Sequence, residues 1–62
     1  MTRPMYIFRI CPADPCLIEW RRNKLGAEWL YWCTCQTVEE ARAALEGIEQ
    51  AGFVIERLED VP

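Results

Sequence analysis

Residues 37–52 read TVEEARAALEGIEQAG, and this stretch predicts the helix around which the rest of the chain is arranged. Thr37 and Glu40 fit a capping box, in which each side chain accepts a hydrogen bond from a backbone N–H at the helix N-terminus. Gly52 is typical of the position just past a helix C-terminus. The pattern predicts a helix over residues 38–51. Its apolar stripe consists of Val38, Ala41, Ala44, Leu45, Ile48 and Ala51.

Four segments rich in apolar and aromatic residues flank this helix and predict β-strands. They cover residues 5–11, 16–21, 28–35 and 53–58. The intervening loops contain Pro12, Pro15, Asn23 and Gly26, which favour tight turns and an antiparallel meander of the first three strands. We expect a right-handed crossover to bring the fourth strand back beside the first. The chain, residues 1–62, is then a single α+β domain: a small four-stranded, mostly antiparallel sheet with one helix on one face, in the order βββαβ.

The composition argues against catalysis. The chain has 62 residues and a net charge of -3, with four cysteines but neither histidine nor serine. Imidazole bases and serine nucleophiles are therefore excluded, and a cysteine nucleophile would lack a histidine base. The sequence contains no Gly-rich phosphate loop or other catalytic motif. We expect a protein without enzymatic activity.

Charge is distributed unevenly along the chain. Residues 1–35 hold five basic and three acidic residues, whereas residues 36–62 hold two basic and seven acidic residues. Four of the acids lie on the predicted helix: Glu39, Glu40, Glu46 and Glu49. An acidic helix suits a basic partner surface, such as that of a nucleic-acid-binding protein, although ordinary solvation explains the same pattern. Direct binding of nucleic acid is not expected, because phosphate contacts need a basic face.

Four cysteines are predicted to lie at the same end of the sheet, on three different strands: Cys11, Cys16, Cys33 and Cys35. If Cys11 pairs with Cys16 and Trp20 pairs with Trp29, alternation places all four thiols on one face. Three interpretations fit: a tetrathiolate zinc site, a redox or disulfide centre, and free thiols that pack as small apolar groups. The spacings differ from the C-x2-C pairs usual at zinc sites, so we expect free thiols and no cofactor. A zinc-binding or redox module built on these cysteines is the alternative function.

The same strand pairing distributes apolar residues over both faces of the sheet. The pattern leaves open which face packs against the helix, and the cluster of Phe8, Ile10, Leu30 and Trp32 on one face suits the small-residue stripe of the helix. The other face would remain uncovered and carry a binding surface of five residues: Arg9, Ile18, Trp20, Trp29 and Tyr31. Soluble monomers seldom expose so much apolar surface, and Arg and aromatic residues are enriched at interface hot spots. We therefore expect a protein partner, or a second copy of the chain in a homodimer. Strand curvature that wraps both faces into one small body is the alternative.

In size, acidity and single-domain α+β build, the chain resembles the small proteins that phages and other mobile elements encode to block host defence systems, anti-CRISPR proteins among them. The resemblance is one of type, and no residue carries over from it. It implies an inhibitor that occludes a surface of its partner.

The N-terminal apolar stretch is too short for a signal peptide, and no segment is long enough to span a membrane, so we expect a cytoplasmic protein with reduced thiols.

Overall fold

The structure is a computed structural model that describes residues 5–57. Its elements in chain order are β1 (Tyr6–Cys11), β2 (Asp14–Arg22), β3 (Leu30–Thr34), α1 (Val38–Gln50) and β4 (Val54–Glu56). The sheet order is β3-β2-β1-β4; β1 and β3 run antiparallel to β2, and β4 runs parallel to β1. The predicted α+β fold is confirmed, including the position of the fourth strand beside the first. Residue 58, the last of the predicted fourth strand, lies outside the described residues.

Side-chain capping explains where α1 begins. The Glu40 N–H donates to Thr37 Oγ1 at 3.1 Å, as the capping box predicts. The Glu40 carboxylate accepts from the Gln36 N–H at 3.1 Å, one residue earlier than the usual partner. At the other end, the Ala51 N–H donates to the Gly47 carbonyl, and Gly52 takes a φ of 105° that favours glycine. Within residues 5–57, no helix is long and apolar enough to cross a membrane.

The core lies between α1 and the central strands of the sheet. Phe8, Ile18 and Leu45 form its buried centre, and Ala41, also buried, lets the helix approach the sheet closely. Partly buried side chains surround them: Tyr6, Ile10, Trp20, Cys33, Cys35, Ala44, Ile48 and Ile55. The helix packs across β2, β1 and β4 but barely reaches β3. One edge of the sheet is therefore left without helical cover.

The predicted pairing of β1 with β2 is wrong by one residue. The structure pairs Ile10 with Ile18 and Arg9 with Glu19, whereas the sequence analysis paired Arg9 with Ile18. A slip of one residue moves every side chain of a strand to the opposite face. The physical reason is burial of charge: the predicted register would have turned Glu19 and Arg21 towards the helix, where an unpaired charge is costly.

The first hairpin makes this register possible. Cys11 pairs with Asp14 and not with Cys16, so the turn is two residues shorter than predicted. The register then shifts between Cys11 and Ile10, and β2 bulges before it reaches Ile18. Asp14 Oδ1 accepts a hydrogen bond from the Cys16 N–H at 3.0 Å within this bulged segment. An aspartate side chain thus satisfies a backbone donor that the ladder leaves out.

A second shift separates β3 from its predicted partners. Trp20 pairs with Leu30, and Glu19 pairs with Tyr31, whereas the sequence analysis paired Trp20 with Trp29. The register shifts between Glu19 and Ile18, and the extra residue on β3 is Trp32. The Trp32 ring lies edge-on to the Phe8 ring, with centroids 5.4 Å apart, so it is on the helix side of the sheet.

Gly47 provides a test of the helix. A methyl group built at this exposed position meets no atom within 4 Å. We expect Gly47→Ala to raise the free energy of unfolding by about 0.5–1 kcal/mol, because alanine restricts the unfolded backbone and favours helix. Gly52→Ala is the matched control: at a φ of 105°, alanine should cost roughly 1–2 kcal/mol. Urea denaturation measures both changes, and a destabilising Gly47→Ala would contradict an unobstructed regular helix at this position.

Candidate interaction surface

The sheet face opposite α1 has no covering element among the described residues. The register arranges its side chains in rows that cross the strands. One row contains Glu56, Arg9, Glu19 and Tyr31, and the next contains Val54, Ile7 and Arg21. We call this surface, together with Trp29, the open face. It is the part of the molecule where rigid strands present mixed charged and aromatic groups to solvent.

Arg9 organises the centre of the open face. Its Nε donates to Glu19 Oε1 at 3.0 Å, and its guanidinium carbon lies 4.0 Å from the centroid of the Trp29 ring. The Arg21 guanidinium lies 5.2 Å from the same ring. Cations over an indole face gain about 0.5–2 kcal/mol, more as water is excluded. The Arg9 and Glu19 side chains are only 21% and 17% exposed, so the group is already partly desolvated.

Tyr31 and Val54 form the apolar margins of the open face. Tyr31, on the edge strand β3, is 67% exposed, and Val54, on the opposite edge strand β4, is also exposed. Trp29 itself is only partly exposed, because the two arginine side chains lie over its ring. The open face is therefore smaller and more polar than the aromatic surface predicted from the sequence.

The structure brings together three of the five predicted sheet residues and separates the other two. Arg9, Trp29 and Tyr31 lie on the open face. Ile18 is 0% exposed at the centre of the core, so its prediction as a partner-binding residue is wrong. Trp20 is likewise on the helix side, where its ring meets the Tyr6 ring edge-on with centroids 5.4 Å apart.

Glu19 and Arg21 take the places predicted for Ile18 and Trp20. Neither residue was predicted from the sequence as part of the surface. A signal for them was present, since β2 alternates apolar Ile18 and Trp20 with charged Glu19 and Arg21. A strand with one solvated face shows this alternation, and it indicates which side faces the core.

The four glutamates of α1 are exposed, but they lie on the other side of the sheet from the open face. Two of them already have partners within the chain: Glu40 accepts from the Gln36 N–H, and Glu49 Oε1 accepts from Arg57 Nη2 at 3.0 Å. Within residues 5–57, the side chains of Glu39 and Glu46 make no hydrogen bond or ion pair, so both are accessible to a partner. One flat partner surface cannot touch both the open face and this acidic helix.

The four cysteines are free thiols, each partly buried. The Cys35 N–H donates to the Cys16 carbonyl at 2.8 Å. The predicted pair of Cys11 with Cys16 is wrong, because Cys11 pairs with Asp14. Within residues 5–57, which include every cysteine, no group of three or more cysteine, aspartate or glutamate side chains is arranged to hold a metal ion. The described residues therefore do not form the tetrathiolate site that was one of the three interpretations.

Cys35 has an environment that lowers its reactivity. Burial raises the pKa of its thiol, and the nearby Cys33 thiol and Glu40 carboxylate raise this pKa further. A thiol with a raised pKa stays protonated at neutral pH, and only the thiolate is a good nucleophile or metal ligand. This environment fits a Cys35 thiol that packs as a small apolar group.

Comparison of the chain with protein-family models, with characterised proteins and with solved structures gave no significant match. Its function is therefore inferred from its own geometry. That geometry offers recognition chemistry: guanidinium groups, aromatic rings and a carboxylate held on a rigid sheet.

The contact between Arg9 and Trp29 can be measured by a double-mutant cycle. We expect Arg9→Met and Trp29→Leu to show a coupling energy of about 0.5–1 kcal/mol in urea denaturation, because each removes one side of the same stack. Arg42, exposed on α1, supplies the control, and Arg42→Met should be additive with Trp29→Leu. Additivity in the first cycle as well would show that the stack contributes nothing to stability.

The raised pKa of Cys35 predicts its alkylation behaviour. In the folded protein, reaction of Cys35 with iodoacetamide should gain speed only at a higher pH than in the urea-unfolded chain, where a cysteine pKa is about 8.5. Peptide mass spectrometry across a pH series reports the two profiles. The raised pKa also makes stability depend on pH. Above the pKa of Cys35 in the unfolded chain, the unfolded state loses the thiol proton before the folded state does, so the free energy of unfolding falls as pH rises. Coincident profiles would contradict the raised pKa.

Proposed function

We propose that this chain is a small, non-enzymatic protein-interaction module that binds a protein partner through its open face. The observation that supports this most is the Arg9–Trp29 stack on an uncovered sheet face, with exposed Tyr31 beside it. Arginine, tryptophan and tyrosine are the residues most enriched at interface hot spots.

The open face is preorganised for binding. Arg9 is held by Glu19 on one side and by Trp29 on another, so little side-chain freedom remains to be lost on association. Tyr31 supplies apolar area that a partner can bury, and its hydroxyl can still find a hydrogen bond at the rim.

The charge of the open face is balanced, with Arg9 and Arg21 against Glu19 and Glu56. A partner for this surface would offer polar groups of both signs at its centre and apolar groups opposite Tyr31 and Val54 at the margins. Because burial of aromatic rings contributes most to such a contact, binding should persist at moderate salt. The acidic helix, through Glu39 and Glu46, would give salt-sensitive binding to a basic surface.

The specific role we propose is that of an inhibitor from a phage or other mobile element, such as an anti-CRISPR protein, acting in the cytoplasm where its thiols stay reduced. Its small size and net charge of -3 support this role, as does an acidic helix that can face the basic surface of a nucleic-acid-binding protein. The open face and the helix point in opposite directions, so one can hold the inhibited protein while the other stays exposed.

The proposal is tested on a partner captured by cross-linking in host cells and identified by mass spectrometry. Calorimetry then compares the wild-type chain with Trp29→Ala, Tyr31→Ala and the matched control Leu25→Ala. Leu25 is fully exposed in the loop between β2 and β3. We expect each open-face variant to weaken binding by about tenfold or more and Leu25→Ala to leave it unchanged.

A second pair of variants separates the two surfaces. Glu39→Lys combined with Glu46→Lys should weaken binding only if the helix is the contact. If this double variant abolishes binding and the open-face variants do not, the partner sits on α1 and the open-face proposal is wrong. If Leu25→Ala costs as much as Tyr31→Ala, the open face has no special role.

A further inference from the structure

The two edges of the sheet differ in how well they are protected. β4 has only three residues and ends at Glu56, beside Arg57, so its exposed edge is short and charged. β3 has five residues, LYWCT, with no charge and no proline. Among residues 5–57, no strand pairs with its outer side. Its irregularity at Trp32 is a bulge, which increases the local twist of this edge.

Large apolar side chains surround the open edge of β3 on both faces of the sheet. Three consecutive residues, Leu30, Tyr31 and Trp32, are each about half exposed or more. Tyr31 points to the open face, whereas Trp32 lies on the helix side against Phe8 and is 51% exposed. They remain uncovered because α1 packs on the other three strands. A strand added at this edge would bury apolar surface on both of its sides.

The two ends of β3 carry opposite charge. At its N-terminal end, Arg22, Lys24 and Glu28 line a cavity of about 300 Å³ together with Leu30. Its C-terminal end leads into α1, whose first turn carries Glu39 and Glu40. An antiparallel neighbour of the same sequence would therefore bring the basic end of one copy beside the acidic end of the other, twice in each pair.

We propose that β3 is a self-association site, at which two copies of this chain pair their β3 strands antiparallel about a two-fold axis near Trp32. The result is one continuous eight-stranded sheet. This inference rests on the proposed function as an interaction module and names one of its partners. Main-chain hydrogen bonds supply the pairing, as in other cases of strand addition, and the charged ends select the antiparallel direction.

The backbone hydrogen bonds identify a position that can block this edge without breaking the fold. The Cys35 N–H donates inward to the Cys16 carbonyl, so alternation directs the Thr34 N–H outward. Thr34→Pro removes that outward donor and leaves the bond between Cys35 and Cys16 in place. Proline is tolerated on edge strands for this reason.

Sedimentation equilibrium over a concentration series tests the proposal. We expect the wild-type chain to form dimers, and Thr34→Pro and Tyr31→Lys to weaken dimerisation by at least about tenfold. Lys at position 31 would lie opposite Glu19, so this variant keeps the test valid if Thr34→Pro fails to fold. Val54→Lys, the matched change on the opposite edge, should dimerise like the wild type. A wild-type chain that stays monomeric, or a dimer that survives both β3 variants, would overturn the proposal.

A charge swap tests the antiparallel arrangement. Lys24→Glu and Glu39→Lys should each weaken the dimer, and the two together in one chain should restore it, because the proposed pairing brings the end with Lys24 in one copy beside the end with Glu39 in the other. If the double variant is no better than the single variants, the antiparallel arrangement is wrong.

Trp29→Ala separates this inference from the proposed function. Trp29→Ala should leave dimerisation intact and weaken binding of the captured partner, whereas Thr34→Pro should weaken dimerisation and leave binding of the captured partner intact. If Trp29→Ala does not weaken partner binding, the proposed function is wrong. If Thr34→Pro does not weaken dimerisation, the self-association site is wrong.

Discussion

Burial of Ile18 determines which residues of this small protein face inward. Its side chain, opposite Ile10 on the neighbouring strand, lies in the buried centre with Phe8 and Leu45 and has no exposed surface. With a single helix available to cover the sheet, the fold has room for one core layer. Alternation along β2 then turns Glu19 and Arg21 to the opposite face, where they remain hydrated or paired. The hairpin bulge is what permits this register.

The same constraint shapes the surface that we assign to recognition. Because Arg9 lies opposite Glu19, its guanidinium is paired and held over the Trp29 ring. Arg9 thus connects β1, β2 and the segment that precedes β3. Because α1 packs on β2, β1 and β4, the edge strand β3 keeps exposed apolar side chains on both of its sides. The two proposed recognition sites, the open face and the β3 edge, both follow from a sheet that is wider than its helix.

The sequence was enough to predict the order and type of the elements. The capping residues Thr37 and Glu40 and the spacing from Ala41 to Leu45 placed the helix correctly, and the short loops placed the strands. These signals did not determine the register of β1 against β2, because the segment from Pro12 to Pro15 is compatible with turns of different length. The hydrogen bond from the Cys16 N–H to Asp14, which accompanies the bulge, depends on the folded geometry. Trp29 was predicted to be in a strand, but it lies before β3, where its ring contacts two arginines.

The register of β1 against β2 can be measured directly by nuclear Overhauser effects between backbone Hα protons. The Asn23 N–H donates to the Met5 carbonyl at 2.9 Å, so alternation makes the pair of Phe8 and Trp20 a non-hydrogen-bonded pair, in which the Hα atoms come closest. The observed register predicts a strong Hα–Hα effect between Phe8 and Trp20. A strong effect between Ile7 and Trp20 would show the slipped register, return Glu19 and Arg21 to the helix side, and contradict the assignment of the open face.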